Sequence, residues 1–260
     1  MIVDIQVSAA TNPWPVLRDA TLAAEHAGYG AALVYDHLAG ATLGGSTMLE
    51  PFALLGALAV ATTGIELGTS VINLGLRSPA AVASAASSVA TISGRHVHLG
   101  VGAGASPSSR FAAELHAVGH QIPSSIAARH VVVEQAFDIF DAVWSPDRPD
   151  ELGTFPSPDL RPTIVVGLHS RHLAELAGRR ADGVNVPWSS ARRDELIDVA
   201  RGARPNDSSF VVTTWTRWAP ELLDPEHPDR RTMDATGIDR LVLAVLDRAD
   251  VDRIARHRVM

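Results

Sequence analysis

The sequence contains no cysteine and no lysine, so all 22 of its basic residues are arginines. Without a thiol there are no disulfides, no cysteine nucleophile and no Cys-ligated metal. Without a lysine there is no Schiff-base amine and no phosphate-loop lysine of the Walker type. Charge-free stretches such as Pro51 to Ile65 fall short of the roughly 20 apolar residues that cross a bilayer, so no membrane partner is expected. The first basic residue is Arg18, and Asp4 stands where a signal peptide carries positive charge, so the expected location is cytoplasmic. A net charge of -7 speaks against a nucleic-acid groove or an anionic membrane surface and leaves a small molecule as the expected partner.

What is present is a regular alternation over 260 residues that are 46% hydrophobic, with no linker rich in Pro, Gly or Ser. One domain over residues 1–260 is expected. Short, mostly uncharged, β-branched segments read as strands at Val3–Val7, Ala32–Tyr35, Glu66–Thr69, Val97–Val101, Thr163–Val166, Gly183–Val186, Phe210–Thr216 and Leu241–Leu246. Amphipathic or Ala-rich stretches between them read as crossover helices at Val16–Ala27, Pro51–Ala61, Ala80–Ile92, Ala127–Val143 and Arg171–Arg179. Eight such units in about 250 residues predict an α/β fold of the closed (β/α)8 TIM-barrel type, with its chemistry at the C-terminal ends of the strands. The connections 105–125 and 145–162 read as loops over or beside that rim, and 219–228 as a partial lid.

Four stretches at strand ends can carry chemistry. Asp36 and His37 follow strand two; the imidazole can move a proton at neutral pH, with Asp36 fixing its tautomer or bonding a ligand, or the pair only caps the loop. Thr69 and Ser70 end strand three where another large core residue would be expected. Gly102 and Gly104 let the backbone approach a flat ligand, but no helix with a third glycine follows, which argues against a dinucleotide fingerprint. Gly167 leads into a helix capped by Ser170, a place to hold a phosphate. His96 and His98 form an H-x-H pair, but at the start of strand four, on the opposite rim, with no acidic cluster evident nearby; no metal site is expected. His116, His120 and His130 read as solvated or capping residues.

The stretches "AEHAGYGAALVYDH" (24–37), "GIELGTSV" (64–71), "LRSPAAVASAASSVATISGRHVHLGVGAG" (76–104) and "RPTIVVGLHSRHLAELAGRRADGVN" (161–185) resemble the luciferase-like oxidoreductases. The resemblance implies a luciferase-like barrel that binds FMN or the deazaflavin coenzyme F420, often as a homodimer. Asp-His after strand two with Thr-Ser-Val after strand three looks more like the F420 branch. By resemblance, Asp36 lies beside the deazaflavin and His37 near its reactive face. Ser70, Val71 and Asn73 form the ledge behind the ring, with a non-proline cis peptide between Ser70 and Val71. Gly102 and Gly104 border the ring, and Gly167, Leu168 and His169 contact the phosphate.

Two positions depart from that pattern. The Glu that dehydrogenases of the branch place after the strand-four glycines is Ala105, and the second glycine of the strand-five loop is Leu168. The chain is also shorter than typical relatives, implying a shortened substrate lid. The implied activity is hydride transfer between F420 and a small organic substrate, with His37 catalytic for the accompanying proton. The alternatives are an FMN-dependent monooxygenase of the same fold and, from another class, a non-catalytic flavin- or deazaflavin-binding protein.

Overall fold

In the computed structural model, which describes residues 1–205 and 209–259, eight parallel strands close into a barrel in sequence order. They are β1 (Ile2–Val7), β2 (Ala31–Val34), β3 (Glu66–Asn73), β4 (Val97–Gly102), β5 (Thr163–Gly167), β6 (Gly183–Pro187), β7 (Val211–Arg217) and β8 (Arg240–Val245). The principal crossover helices are α1 (Trp14–Ala27), α2 (Pro51–Ala61), α3 (Pro79–Ser93), α5 (Ile126–Trp144), α6 (Arg171–Arg180), α7 (Arg193–Gly202), α8 (Pro228–Ala235) and α9 (Val251–Arg256). A short α4 (Ala113–Ala117) lies inside the connection from β4 to α5.

The alternation of side chains along each strand explains why the barrel closes. Val3, Ile5 and Val7 of β1, Val97, Leu99 and Val101 of β4, and Ile164 and Val166 of β5 share one core cluster with the helices. The intervening residues face the barrel interior. There the strands contribute Asp4, Gln6, His98, Gly100 and Arg240, and among the described residues the interior apolar cluster is the small one of Ala31, Leu33 and Val242. The main hydrophobic core is therefore a ring between sheet and helices, and the barrel's axis is lined largely by polar groups with Leu33, Val165 and Val242 among them.

Local sequence sets the helix ends. α1 begins beside Pro13 and stops at Gly28, whose φ of 87° suits a residue without Cβ. The Glu50 carboxylate accepts from Ala53 N to cap α2, and Ser125 and Ser170 cap α5 and α6 in the same way, the last as expected from sequence. The helices that no sequence pattern singled out, α7, α8 and α9, are short and charged. Each buries only a few apolar residues, such as Leu196 and Ile197, Met233, and Ile254.

Two loop expectations are corrected. α5 runs back along the barrel, so residues 145–162 join its C-terminus to the start of β5 at the N-terminal rim, away from the strand C-termini. Arg161 there pairs at 2.7 Å with Asp182, which immediately precedes β6 and also accepts from Ile164 N at 2.8 Å. The stretch 219–228 packs down as well: Leu222 and Leu223 are buried in the core, and the Leu222 carbonyl accepts from Arg230 at 2.7 Å.

The N-terminal end of the barrel holds an ion network rather than an apolar plug. Arg240 donates twice to Asp4 at 2.8 Å and once to Glu66 at 3.0 Å, and His98 Nε2 lies 2.7 Å from Glu66. His96 is bonded to Thr163 at 2.6 Å. The H-x-H pair thus does have an acidic neighbour, and that carboxylate is held by Arg240. Burial alone would raise the Glu66 pKa, but the hydrogen bond and charge of His98, with Arg240, hold it down at about 2.

A carboxylate with a lowered folded-state pKa stabilises the fold above its unfolded value and loses that contribution as pH falls through the folded value. Glu66→Gln is expected to lower stability at pH 7, and the gap from wild type should close between about pH 4.5 and pH 2. Urea unfolding across that range checks this; a gap independent of pH would show that Glu66 acts through packing alone.

Candidate active site

The C-terminal rim is organised by two carboxylates. Asp36, two residues after β2, has a side chain with no exposed surface; Arg77 donates to it through Nε at 2.7 Å and Nη2 at 2.8 Å. A third bond comes from Asn73 N at 3.0 Å. Arg77 also pairs with Glu50 at 2.8 Å, and these partners raise its pKa, the Asp36 hydrogen bonds first. Asp36 therefore ties the end of β3 to β2, and it is not the group that fixes the His37 tautomer.

That group is Glu114. His37 Nδ1 lies 2.8 Å from Glu114 Oε1, while Oε2 accepts from Leu38 N at 3.0 Å and Ala39 N at 2.9 Å. The carboxylate is 5% exposed, so its charge is met almost wholly by these three donors. Nδ1 is thereby committed, and Nε2 is the ring nitrogen left for a ligand. Tyr35 and Phe111 hold the imidazole from two sides, each with ring centroids 5.9 Å away. Sequence reading missed Glu114 because residues 105–125 look like an open connection. The only local sign is the helical "AELHA" of α4.

The stretch after Gly68 becomes the floor. β3 continues to Asn73 through a register shift between Thr69 and Ile72, and the Ser70-Val71 peptide is cis, as the family resemblance implies. Small hydroxyl residues are needed here because both are bonded inward. Thr69 donates to the Gly100 carbonyl at 2.8 Å, Ser70 O accepts from Gln6 Nε2 at 2.7 Å, and Ser70 Oγ accepts from Asn185 Nδ2 at 3.0 Å. Val71 then lies between two glycines. A Cβ on Gly102 would meet its Cγ2 at 3.0 Å, and one on Gly167 its Cγ1 at 3.3 Å. At Gly104, φ is +73° and a Cβ would run into the Asn73 amide.

Two adjoining clefts open above this floor. One, of about 300 Å³, is lined by Asp36, His37, Asn73, Gly102, Gly104 and Glu114 among others; the other, of about 380 Å³, by His37, Gly167, Leu168, His169, Pro187 and Trp215 among others. Ser70, Val71 and Phe111 line both. All ten residues singled out from sequence thus come to one rim.

Their availability differs. The Leu168 amide, expected to meet a phosphate, donates to Asn185 O at 2.8 Å, and its side chain is buried. His169 faces the cleft, and the surrounding protein together with Arg129 pushes its pKa down. Of the other loop histidines, His116 and His120 bond backbone carbonyls of Pro107 and Gly75, each at 2.9 Å. His130 is buried, 3.2 Å from Ser170 Oγ and stacked on His172, so it is a packed residue rather than a solvated one.

If the Asp36 clamp holds the floor in place, Asp36→Ala should cost about 1–3 kcal/mol by leaving Arg77 and Asn73 N without their partner. Denaturant unfolding measures this; a loss below about 0.5 kcal/mol would mean that Glu50 and water replace the carboxylate.

Comparison with known proteins places this geometry. Among curated proteins, an F420-dependent glucose-6-phosphate dehydrogenase of Beutenbergia cavernae is 28% identical over 230 residues, 83% of this chain. The chain spans 66% of that relative's length. Among solved structures, an F420-dependent secondary alcohol dehydrogenase in complex with an F420-acetone adduct superposes with a TM-score of 0.75 at 17% identity, covering 99% of this chain and 97% of that one. The monooxygenase RslO1 from Streptomyces bottropensis superposes with a TM-score of 0.72 at 15% identity, covering 99% and 96%. These likenesses carry the fold. Residues 3–212 match the family described as luciferase-like monooxygenase, and the chain belongs to that family.

Proposed function

We propose that the protein is an F420-dependent oxidoreductase that moves a hydride between the deazaflavin and a small organic substrate, with His37 handling the proton. The observation that carries this reading is the His37–Glu114 couple, which leaves Nε2 over the Ser70-Val71 floor. The floor fits a planar ring: Val71 is framed by Gly102 and Gly167, where any side chain would crowd it, and Asn73 stands at the edge beside Gly104. Bound there, the coenzyme would supply a hydride donor or acceptor.

The chain's own residues do the rest. In the oxidising direction, a substrate hydroxyl gives its proton to Nε2 as its carbon loses hydride; in the reducing direction, Nε2 returns the proton to the carbonyl oxygen. Glu114 keeps the imidazole aimed and offsets the positive charge it gains. Phe111 and Tyr35 keep water from the ring faces. The F420-dependent relative supports the choice of coenzyme.

An FMN-dependent monooxygenase is the second reading, favoured by one observation: Asp36, which by resemblance lies beside a deazaflavin, spends its carboxylate on Arg77. A homodimer belongs to the proposal too. Val60 and Ile92, on neighbouring helices α2 and α3, are 77% and 56% exposed and offer an apolar face.

Titration of the purified protein with F420 and with FMN, read by cofactor fluorescence, tests the cofactor. Binding of F420 with weak or no binding of FMN is expected; the reverse would hand the site to the second reading, and tight binding with no turnover on a broad panel would favour a binding protein. In single-turnover kinetics His37→Ala should slow hydride transfer by about 10² to 10⁴. Glu114→Gln should slow it by at least about tenfold, and the double variant should be little worse than His37→Ala, because both act through one imidazole. Additive losses would separate the two residues.

A further inference from the structure

The larger cleft has a chemistry of its own above the floor. Leu43, Phe111, Pro187, Trp215 and Leu246 give it an apolar wall beside the polar Tyr35, His169 and Asn185, and among the described residues no carboxylate lines it. One arginine does. Arg110 stands at the mouth with its guanidinium 4.7 Å from the Phe111 ring centroid. Among the described residues it takes part in no ion pair and no side-chain hydrogen bond, whereas Arg77, also on this rim, is saturated by Asp36 and Glu50.

We propose that the substrate is a monocarboxylate with an apolar body, its carboxylate held by Arg110 while its hydroxyl or carbonyl carbon lies beside His37. The proposal rests on the oxidoreductase reading only for the second half of that sentence. Three physical points support it. A guanidinium lying over an aromatic ring is restrained by it, so its donor fork is presented with less loss of freedom on binding. An apolar wall lowers the local dielectric, which strengthens a charge-assisted pair made at its edge. The dimensions agree as well: Phe111 is 5.9 Å from the His37 ring and 4.7 Å from the Arg110 guanidinium, so a chain of several carbons laid over Phe111 joins the two. Leu43 and Leu246 offer no partner to the hydroxyls of a phosphorylated sugar on that side of the cleft.

An anion at Arg110 has a second possible source, the phosphate-bearing tail of the coenzyme, and the test separates the two. Isothermal titration of the cofactor-free protein compares octanoate, octanamide and octyl phosphate at low and high salt, with F420 and FMN titrated into the same preparations. Octanoate is expected to bind at least about tenfold more tightly than octanamide, with the preference shrinking in salt. Arg110→Gln should abolish the preference while leaving octanamide and both cofactors unchanged, and Trp215→Ala should weaken octanoate and octanamide alike. Arg110 is exposed, so the variant is expected to fold, which circular dichroism checks.

Equal binding of octanoate and octanamide would overturn the proposal, as would a preference for octyl phosphate. Loss of F420 affinity in Arg110→Gln with octanoate unaffected would assign the guanidinium to the coenzyme instead. If neither cofactor binds but the octanoate preference and its loss in Arg110→Gln stand, the oxidoreductase reading fails and the carboxylate site remains.

Discussion

Of the two buried carboxylates on the rim, one sets the position of His37. Glu114, carried by α4 in the connection after β4, reaches across to the turn after β2 and accepts from an imidazole and two successive backbone amides. A carboxylate this buried is tolerated only with such a complement of donors. The three bonds fix the turn after β2, the orientation of His37 and the position of the connection that carries Phe111 and Arg110. The proton-moving group, the cleft wall and the anion-binding mouth are thus parts of one construction.

Beneath it the barrel separates its tasks by side-chain direction. Outward residues of the strands build the apolar ring against the helices, which fixes the strands. Inward residues are free to be polar. Asp4, Glu66, His98 and Arg240 close the N-terminal end with charge, and Gln6 and Asn185 brace Ser70 at the other end. The floor rests on bonds to the backbone and hydroxyl of Ser70, which is why a large apolar residue would not serve there.

The fold was largely legible in the sequence because strands and helices alternate with clear periods, and every expected strand is present within a residue at its start and four at its end. β3 shows the largest extension, since Ser70 to Asn73 lack an unbroken apolar pattern and continue the strand only through a register shift. The candidate residues at strand ends were legible by position, as the fold puts them all on one rim. What was not legible was which partner each would take. Asp36 and His37 are adjacent in sequence, yet one turns to Arg77 and the other to Glu114, 41 and 77 positions away. Such pairings are made by tertiary packing, which local pattern does not encode. The loop at 145–162 was misplaced for a related reason: composition marks a loop, and only the direction of the preceding helix says which rim it crosses.

The central claim is that Glu114 commits Nδ1 of His37 and leaves Nε2 to the cleft. Imidazole ¹⁵N chemical shifts of labelled protein, followed through the titration of His37, report it directly. The account predicts that the proton lost on deprotonation leaves from Nε2 while Nδ1 stays protonated, and that Glu114→Gln removes this bias. A neutral His37 that keeps its proton on Nε2 in the wild-type protein would contradict it.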